Sequence, residues 1–488
     1  MAKPPGSATA PSRWLRDHLL IEPARPRRIA RDPRAAWLTV ATVSVGAFMG
    51  QLDASIVNIA YPSLQRSFDA SLGAVQWVGL SYLLVLIAAV AAVGRVADML
   101  GRKLLYTYGF VVFGIGSALC SVAPSLASLD AFRVVQAVGA VMLQANSIAI
   151  IAASLPREKL GRGIGVQGTA QALGLAVGPF VGGLLIGLGG WRLIFLVNVP
   201  IAAVGVITAW LFVPRSRELP EREPFDWIGL ALFTPGLASL LLVLSFGNER
   251  GWRSAEIVSL LTVFVGTIVA FVVHERRADH PLIELGLFRR RRFSIGVSTG
   301  LASYLTLFGV LFVTPFLLER THGLSPGAAG LVLAALPLAM AVAAPFAGRM
   351  TDRIGGRLPT IVGMLITSGG LWLAAAKPTT TGVLIGLSLA GTGIGLFTPA
   401  NNASLISSVP ARRVGVASGV VNLTRGLGGA LGLSLTALVF AQASHSNKTA
   451  AATSDGFTRS MVMLGVVALI ATGVSLLRRP KAQERDVS

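Results

Sequence analysis

Apolar stretches of about 20 residues, each long enough as a helix to cross the hydrocarbon core of a bilayer, alternate with short polar or glycine-containing turns along almost the whole chain. The pattern predicts an all-α integral membrane protein with about fourteen transmembrane segments, which we number 1 to 14. They lie near residues 36–61, 76–98, 104–122, 128–153, 161–187, 193–213, 226–246, 255–274, 294–319, 327–350, 357–376, 383–407, 414–441 and 459–478.

The composition agrees with this fold class and excludes several classes of function. The chain is 53% apolar and 13% charged, with a mean hydropathy of +0.69, whereas soluble proteins carry about 25% charged residues. No lysine follows a glycine, so the phosphate-binding loop of ATPases is absent, and the five histidines form no cluster with metal-ligand spacing. The single cysteine, Cys120, lies in an apolar segment. We expect no enzymatic activity, no metal and no cofactor.

The formal net charge of +20 is distributed unevenly among the predicted loops. With the N-terminus inside, most of the 42 lysine and arginine residues fall in the two terminal tails and the six inside loops. This asymmetry follows the positive-inside rule and predicts a multi-pass protein of the inner (cytoplasmic) membrane with both termini in the cytoplasm. It explains the basic balance without a nucleic-acid partner. We interpret the run Arg289–Arg292 as a topogenic anchor, with a site for anionic lipid as the alternative.

A charged, glycine-bearing turn occurs twice, after segment 2 and after segment 10. The first copy runs from Gly94 to Lys103, and the second from Gly348 to Arg357, 254 positions later. Such repeats are typical of transporters in which two related bundles move around a midplane site. We predict a basic cytoplasmic tail, a six-helix bundle, a linker containing segments 7 and 8, a second six-helix bundle and a C-terminal cytoplasmic tail. Their boundaries are 1–35, 36–213, 214–292, 293–478 and 479–488.

Two charged residues fall deep within the predicted segments and are the first candidates for function. Asp53 follows Trp37 by 16 residues, or roughly 24 Å of helix, and Arg133 lies about 10 Å from the outer end of segment 4. A carboxylate at this depth costs about 2.5–3.5 kcal/mol unless it is paired, hydrated or protonated. We predict that Asp53 carries the coupling proton and that Arg133 faces it at similar depth. The alternative is a purely structural role.

Segment 4 carries a polar or small-residue stripe at helical spacing, formed by Arg133, Gln136, Ala140, Gln144 and Ser147. Because lipid cannot satisfy polar groups, this stripe must face protein or water. It is either part of a substrate cavity or a set of interhelical hydrogen bonds without a ligand.

Other polar residues within apolar segments need interior partners for the same reason, and we predict that they line the substrate cavity. They are Gln51, Asn58, Tyr82, Gln144, Gln167, Gln171, Asn401, Asn402 and Asn422. Arg425, near the middle of segment 13, is interpreted as a packing or gating charge. Because the second half has no carboxylate near mid-span, Asp53 alone could neutralise a cation in the cavity. The expected substrate is therefore small, amphipathic, and neutral or singly cationic.

Several motifs resemble those of one transporter family. Leu52–Pro62 is similar to L-D-x-T-I-V-N-V-A-L-P, and the turn after segment 2 is similar to G-x-x-x-D-x-x-G-R-K. Arg133 to Gln136 resembles R-x-x-Q-G, and Gly174 to Gly183 resembles an antiporter motif. Along nearly its whole length the chain resembles the fourteen-span, EmrB/QacA-type drug:proton antiporters of the major facilitator superfamily. Ser55, Ala91 and Ala137 depart from the usual residues, but none of these departures removes a charge.

The resemblance implies a major facilitator fold, with two six-helix bundles plus two central helices, and multidrug efflux driven by proton antiport, a cause of antibiotic resistance. It supports proton coupling by Asp53 and Arg133. Gating is expected at Gly94, Asp98, Gly101, Arg102, Asp352, Arg357 and Arg425. Close helix packing is expected at Gly174, Gly178, Pro179, Gly182 and Gly183. A dedicated exporter of one metabolite or lipid shares these motifs, and a non-transporting membrane sensor is a remoter alternative. These motifs do not address a periplasmic adaptor partner.

Overall fold

The computed structural model describes residues 25–30, 32, 34–215, 226–279, 281–409, 414–444 and 449–478. Within these ranges the chain contains no strand, and fourteen helices are long and apolar enough to cross a membrane. The predicted fold class, an all-α integral membrane protein, is therefore confirmed. Most of the predicted N-terminal tail and all of the predicted tail 479–488 lie outside the described residues.

We label the fourteen membrane-spanning helices α1 to α14. The first seven are α1 (Ala35–Ile56), α2 (Trp77–Leu100), α3 (Arg102–Ser121), α4 (Leu126–Ser154), α5 (Arg157–Gly189), α6 (Asn198–Phe212) and α7 (Trp227–Arg250). The last seven are α8 (Ala255–Glu275), α9 (Arg291–Arg320), α10 (Pro326–Ile354), α11 (Arg357–Ala376), α12 (Thr380–Ser407), α13 (Val414–Ser444) and α14 (Ala450–Leu476). A 3₁₀ turn, Asn58–Ala60, links α1 to a short helix, Tyr61–Phe68.

The start of the last helix differs clearly from the prediction. The polar residues before 459 indicated a loop, but α14 already begins at Ala450. Asp455 and Arg459 form an ion pair of 2.8 Å across one helical turn, with both side chains largely exposed. The Thr449 hydroxyl caps this helix by accepting a hydrogen bond from the backbone N–H of Ala452. Because these charged residues lower the local hydropathy, the hydropathy pattern did not predict the first two turns of α14.

The helices form two bundles with the same internal arrangement. α1 to α6 pack together, and α9 to α14 repeat their pairings, so that the first helix of each contacts the fifth, and the fourth contacts the second and third. A matching detail supports the repeat: Lys103 donates to the carbonyl of Trp210 at 2.9 Å, and Arg357 donates to that of Leu476 at 3.1 Å. In each bundle a basic residue at the start of the third helix thus binds a carbonyl near the end of the sixth, where a cation is favourable.

The two additional helices lie beside the junction of the bundles. α7 contacts α2 of the first bundle and α13 of the second. α8 packs mainly against α7, and only 11% of its spanning window is buried within the protein. Its apolar surface therefore fits direct contact with lipid.

The two ends of the molecule are packed differently. We call the end where α1 begins and α14 finishes the terminal face, and the opposite end the distal face. At the distal face α5 and α10 meet so closely that a Cβ added at Gly183 would lie 2.2 Å from the oxygen of Pro326. A Cβ at Gly330 would likewise lie 2.2 Å from the oxygen of Pro179. Arg66 and Glu319 add an ion pair of 2.9 Å between the bundles at this end.

Towards the terminal face the described glycines of the same two helices make no such contact. Glycines in the terminal halves of α5 (Gly165, Gly168) and α10 (Gly348) would meet no atom within 4 Å if a Cβ were added. The close contact between α5 and α10 is therefore made at the distal face.

Candidate functional site

Asp53 and Arg133 meet in the protein interior, in a cluster formed by three helices of the first bundle, α1, α4 and α6. Asp53 lies on α1 and Arg133 on α4, and their side chains are 0% and 1% exposed. Arg133 Nη1 lies 2.6 Å from Asp53 Oδ2. The other carboxylate oxygen accepts hydrogen bonds from Gln136 Nε2 at 2.8 Å and Asn198 Nδ2 at 2.9 Å. All three partners donate, so the arrangement fits the ionised form of Asp53.

The guanidinium of Arg133 is held by further contacts. Its Nε donates to the carbonyl of Val78 at 2.9 Å, and Nη1 also lies 2.5 Å from Gln136 Oε1. The ring centroid of Tyr82 lies 4.3 Å from the guanidinium carbon, and that of Phe195 lies 5.7 Å away. A buried charge pair is tolerable only when the remaining hydrogen-bonding groups are satisfied, as they largely are here.

Sequence reasoning missed one member of this cluster. Asn198, the first residue of α6, is fully buried, and its Oδ1 has no hydrogen-bond partner. Asn198 is an amide within predicted segment 6, and this is the same feature by which the other polar candidates were chosen. Gln136 appeared on the polar stripe of α4, and it also hydrogen-bonds Ser117 on α3 at 2.7 Å.

A cavity lies beside this cluster, between the two bundles. Its wall comes from α1, α2, α4 and α5 on one side and from α9 and α13 on the other, and its space is about 850 Å³ when the part open to solvent is counted. Five of the predicted lining residues are in this wall: Gln51, Tyr82, Gln144, Gln171 and Asn422. Ala140 and Ser147 from the α4 stripe also line it, so that stripe serves both the buried cluster and the cavity.

Four predicted lining residues do not line this cavity in the structure. The Asn58 amide, in the turn that follows α1, donates to the carbonyls of Ala54 and Ser55 at the end of α1, at 3.1 and 3.2 Å. Asn401 donates to the carbonyl of Gly296 at 2.9 Å and accepts from Arg478, so its polar groups bind neighbouring helices of the second bundle. The other two are Gln167, which is buried, and Asn402, which is partly buried.

Arg425 occupies a different place from the one expected for a packing charge. Its side chain lines the cavity, and its guanidinium carbon lies 5.6 Å from the ring centroid of Tyr304. No carboxylate lines the cavity within the described part of the chain. The expectation of a cationic substrate relied on Asp53 facing the cavity, whereas Asp53 is fully buried behind the wall and paired with Arg133.

The glycine-rich motif of α5 lies where helices approach most closely. A Cβ added at Gly178 would lie 1.8 Å from the hydroxyl of Ser55, and one at Gly174 would lie 2.4 Å from a backbone oxygen of Phe48. Gly182 packs in the same way against Ile56 on α1. With Gly183 and Pro179 at the contact with α10, this helix joins the first bundle to the second at the distal face.

Apart from Arg425, the predicted gating residues lie at the terminal face, around the two repeated turns. Gly94 lies within the last turns of α2, and Gly101 ends that helix with φ of 106°. Arg102 begins α3, and Arg357 begins α11. The side chains of Asp98 and Asp352 lie outside the described residues, so their role in gating stays a prediction.

Comparison with known proteins agrees with this architecture. A sequence profile of the Major Facilitator Superfamily matches residues 43–227 and 296–488. The chain is 33% identical over 416 residues to the riboflavin transporter RibZ of Clostridioides difficile, covering 84% of this chain and 90% of that protein. It is 34% identical over 413 residues to the multidrug resistance protein Stp of Mycobacterium tuberculosis, covering 84% and 76%.

A solved structure supports the same fold. The inward-facing, unoccupied bacterial homologue of the human lysosomal transporter Spinster superposes with a TM-score of 0.66 at 18% identity, covering 91% of this chain and 97% of that one. Together with the profile match and the related transporters, this leads to one conclusion. The chain is a transporter rather than an enzyme, and it belongs to the Major Facilitator Superfamily.

Proposed function

We propose that the protein is a proton-coupled antiporter that exports small amphipathic compounds across the cytoplasmic membrane. In this proposal the terminal face is cytoplasmic, as the distribution of basic residues predicts. The cavity would then open towards the cytoplasm, where an exporter takes up its substrate. The name of the relative Stp supports export, because drug resistance through a transporter requires removal of the drug.

The observation that carries the proposal is the buried pair of Asp53 and Arg133 directly behind the cavity wall. Tyr82 connects the two regions, since its ring packs over the guanidinium and also lines the cavity. Ala54, the neighbour of the acid, lines the cavity as well. A substrate in the cavity would therefore contact Tyr82 and Ala54, which are next to the residues that hold Asp53 in its ionised form.

The cycle follows from the two states of this acid. With the distal face open, an external proton neutralises Asp53 and releases Arg133 from the ion pair. When the terminal face opens, the proton leaves to the cytoplasm and the pair forms again with its three donors, as in the structure described. Substrate binds in that state and leaves from the distal face after the next conformational change. The gradient supplies the energy, and no cofactor takes part.

The test uses inside-out membrane vesicles with an acidic interior, which present the cytoplasmic face to the medium. A fluorescent amphipathic compound should accumulate inside, and its addition should speed the loss of the pH gradient relative to vesicles lacking the protein. An uncoupler should abolish accumulation. Accumulation that persists unchanged with the uncoupler would contradict proton coupling, and binding without any movement of compound or protons would favour a sensor.

A dedicated exporter of one metabolite is the second candidate, favoured by the likeness to a transporter named for riboflavin alone. The same vesicles distinguish the two candidates. Accumulation of several unrelated amphipathic compounds supports multidrug export, whereas accumulation of one compound and exclusion of the others supports the dedicated exporter.

A further inference from the structure

The cavity has an unbalanced positive charge. Its polar lining consists of four side-chain amides, the hydroxyls of Tyr82 and Ser147, and the guanidinium of Arg425. The amides carry no net charge, and no carboxylate lines the cavity within the described residues. Arg425 is thus its one permanently charged lining group in that part of the chain.

Arg425 also lacks an ionic partner. It forms no ion pair with any carboxylate among the described residues. Its neighbour is Tyr304, whose ring centroid lies 5.6 Å from the guanidinium carbon and whose neutral hydroxyl interacts with the guanidinium without supplying a negative charge. A ring face stabilises a cation only modestly. A charged arginine at membrane depth is costly unless it is hydrated or paired. An anionic group brought by a ligand would supply the missing partner.

Asp53 cannot be the ionic partner of Arg425 while it is paired with Arg133. Asp53 is fully buried and already accepts hydrogen bonds from Arg133, Gln136 and Asn198. The acid and Arg133 together are electrically neutral, so the field in the cavity is dominated by Arg425. A cationic substrate entering from the terminal face would meet an uncompensated like charge in an apolar space.

We propose that the cavity selects amphipathic compounds bearing one acidic group, and that Arg425 binds that group. The planar guanidinium forms two parallel hydrogen bonds with a carboxylate, which fixes the orientation of the ligand. Phe308, Leu83, Leu86 and Ile87 offer an apolar wall for the rest of the molecule. This inference rests on the proposed function, and it replaces the expected neutral or cationic substrate with a neutral or anionic one.

The test compares three compounds built on one fluorescent aromatic scaffold: a carboxylic acid, its methyl ester and a matching primary amine. In the inside-out vesicles, wild type should export the acid about tenfold faster than the amine at equal concentration. Arg425→Gln should lower the ratio of acid export to ester export at least tenfold. Arg425→Lys keeps the positive charge but not the planar guanidinium, so it should recover part of the lost acid export. Arg459→Gln, on an exposed distal surface, is the matched control.

Two results would overturn the inference: equal export of acid and amine by wild type, or equal loss of acid and ester export in Arg425→Gln. Binding is measured separately, by the rise in thermal midpoint of the purified protein with each compound. If no compound is exported, the proposed function fails, and the thermal shifts still decide the charge preference. A shift with the acid that vanishes in Arg425→Gln supports the inference, and equal shifts with acid and amine contradict it.

Discussion

Replacing Asp53 by Asn separates the shape of the buried acid from its charge. The substitution keeps the size of the side chain but leaves Arg133, which is 1% exposed, without its counter-charge. It also places an amide N–H₂ where the carboxylate accepted hydrogen bonds from Arg133, Gln136 and Asn198. Removing one partner of a buried pair typically costs about 3–5 kcal/mol of stability. We therefore expect Asp53→Asn to fold with a lowered thermal midpoint.

Removing the second charge tests whether that cost is electrostatic. In the double variant Asp53→Asn/Arg133→Met no uncompensated cation remains, and replacement of both charges of a buried pair is often neutral or stabilising by about 1–4 kcal/mol. The double variant should therefore have a higher thermal midpoint than Asp53→Asn alone. If the two changes lower the midpoint additively, the pair does not behave as one electrostatic unit.

The effect on transport has its own scale. A proton moving down a potential of 100 mV contributes about 2.3 kcal/mol, and 1.36 kcal/mol corresponds to a tenfold ratio. Exchange of one proton for one neutral molecule then sustains an accumulation of about 50-fold by wild type. Both Asp53→Asn and the double variant should accumulate no substrate above equilibration, because neither can carry the coupling proton.

The assay is accumulation of a neutral fluorescent substrate in inside-out vesicles at matched protein levels. Asp455→Asn is the control carboxylate variant, because Asp455 is largely exposed and pairs with Arg459 on the same helix. Its ion pair is worth about 1 kcal/mol or less, and its accumulation should match wild type. Accumulation of about 50-fold by Asp53→Asn would refute the assignment of the coupling proton to Asp53.

Three further substitutions test other parts of the structure. Gly183→Ala places a Cβ 2.2 Å from a backbone oxygen of α10 and should loosen the distal contact. A cysteine introduced at the distal face should then be labelled faster than in the wild-type background. Gly187→Ala is the control: its Cβ meets no atom within 4 Å, so the same cysteine should be labelled at the wild-type rate. Gln136→Leu removes one donor to the Asp53 carboxylate and should shift the pH profile of transport to higher pH, while an unchanged profile would contradict this. Burial lowers the pKa of Arg478 to about 10, below its ordinary value. Its buried charge therefore destabilises the fold fully below pH 10 and less as the pH rises above that value. Arg478→Leu should therefore raise the thermal midpoint at pH 8 by more than at pH 11, and a gap that widens with pH would contradict this.

The fold could be predicted from hydropathy because crossing a bilayer constrains length and composition strongly. The same argument placed Asp53 and Arg133 at similar depth by counting residues along their helices. It failed at the start of α14, where Asp455 and Arg459 lie on a helix that extends beyond its apolar part.

The arrangement of the site was harder to predict, because depth says nothing about rotation of a helix around its axis. Asn401 and Asn422 are both amides within apolar helices, yet one binds neighbouring helices and the other lines the cavity. Asn198 joins the acid only because α6 begins beside α1 and α4. Arg425 was interpreted as a packing or gating charge, whereas its position facing the cavity depends on how the two bundles meet.

The contact between α5 and α10 at the distal face has a consequence for proton leakage in the proposed antiport. Gly183 approaches Pro326, and Gly330 approaches Pro179, through backbone atoms alone. No side chain at these points can rotate aside to admit a file of water molecules, so hydrogen-bonded water can bridge the contact only when the two helices separate. In the proposed antiport, the contact between α5 and α10 thus blocks both the passage of substrate and a leak of protons without substrate. A bulkier residue at either glycine would then dissipate the gradient even in the absence of substrate.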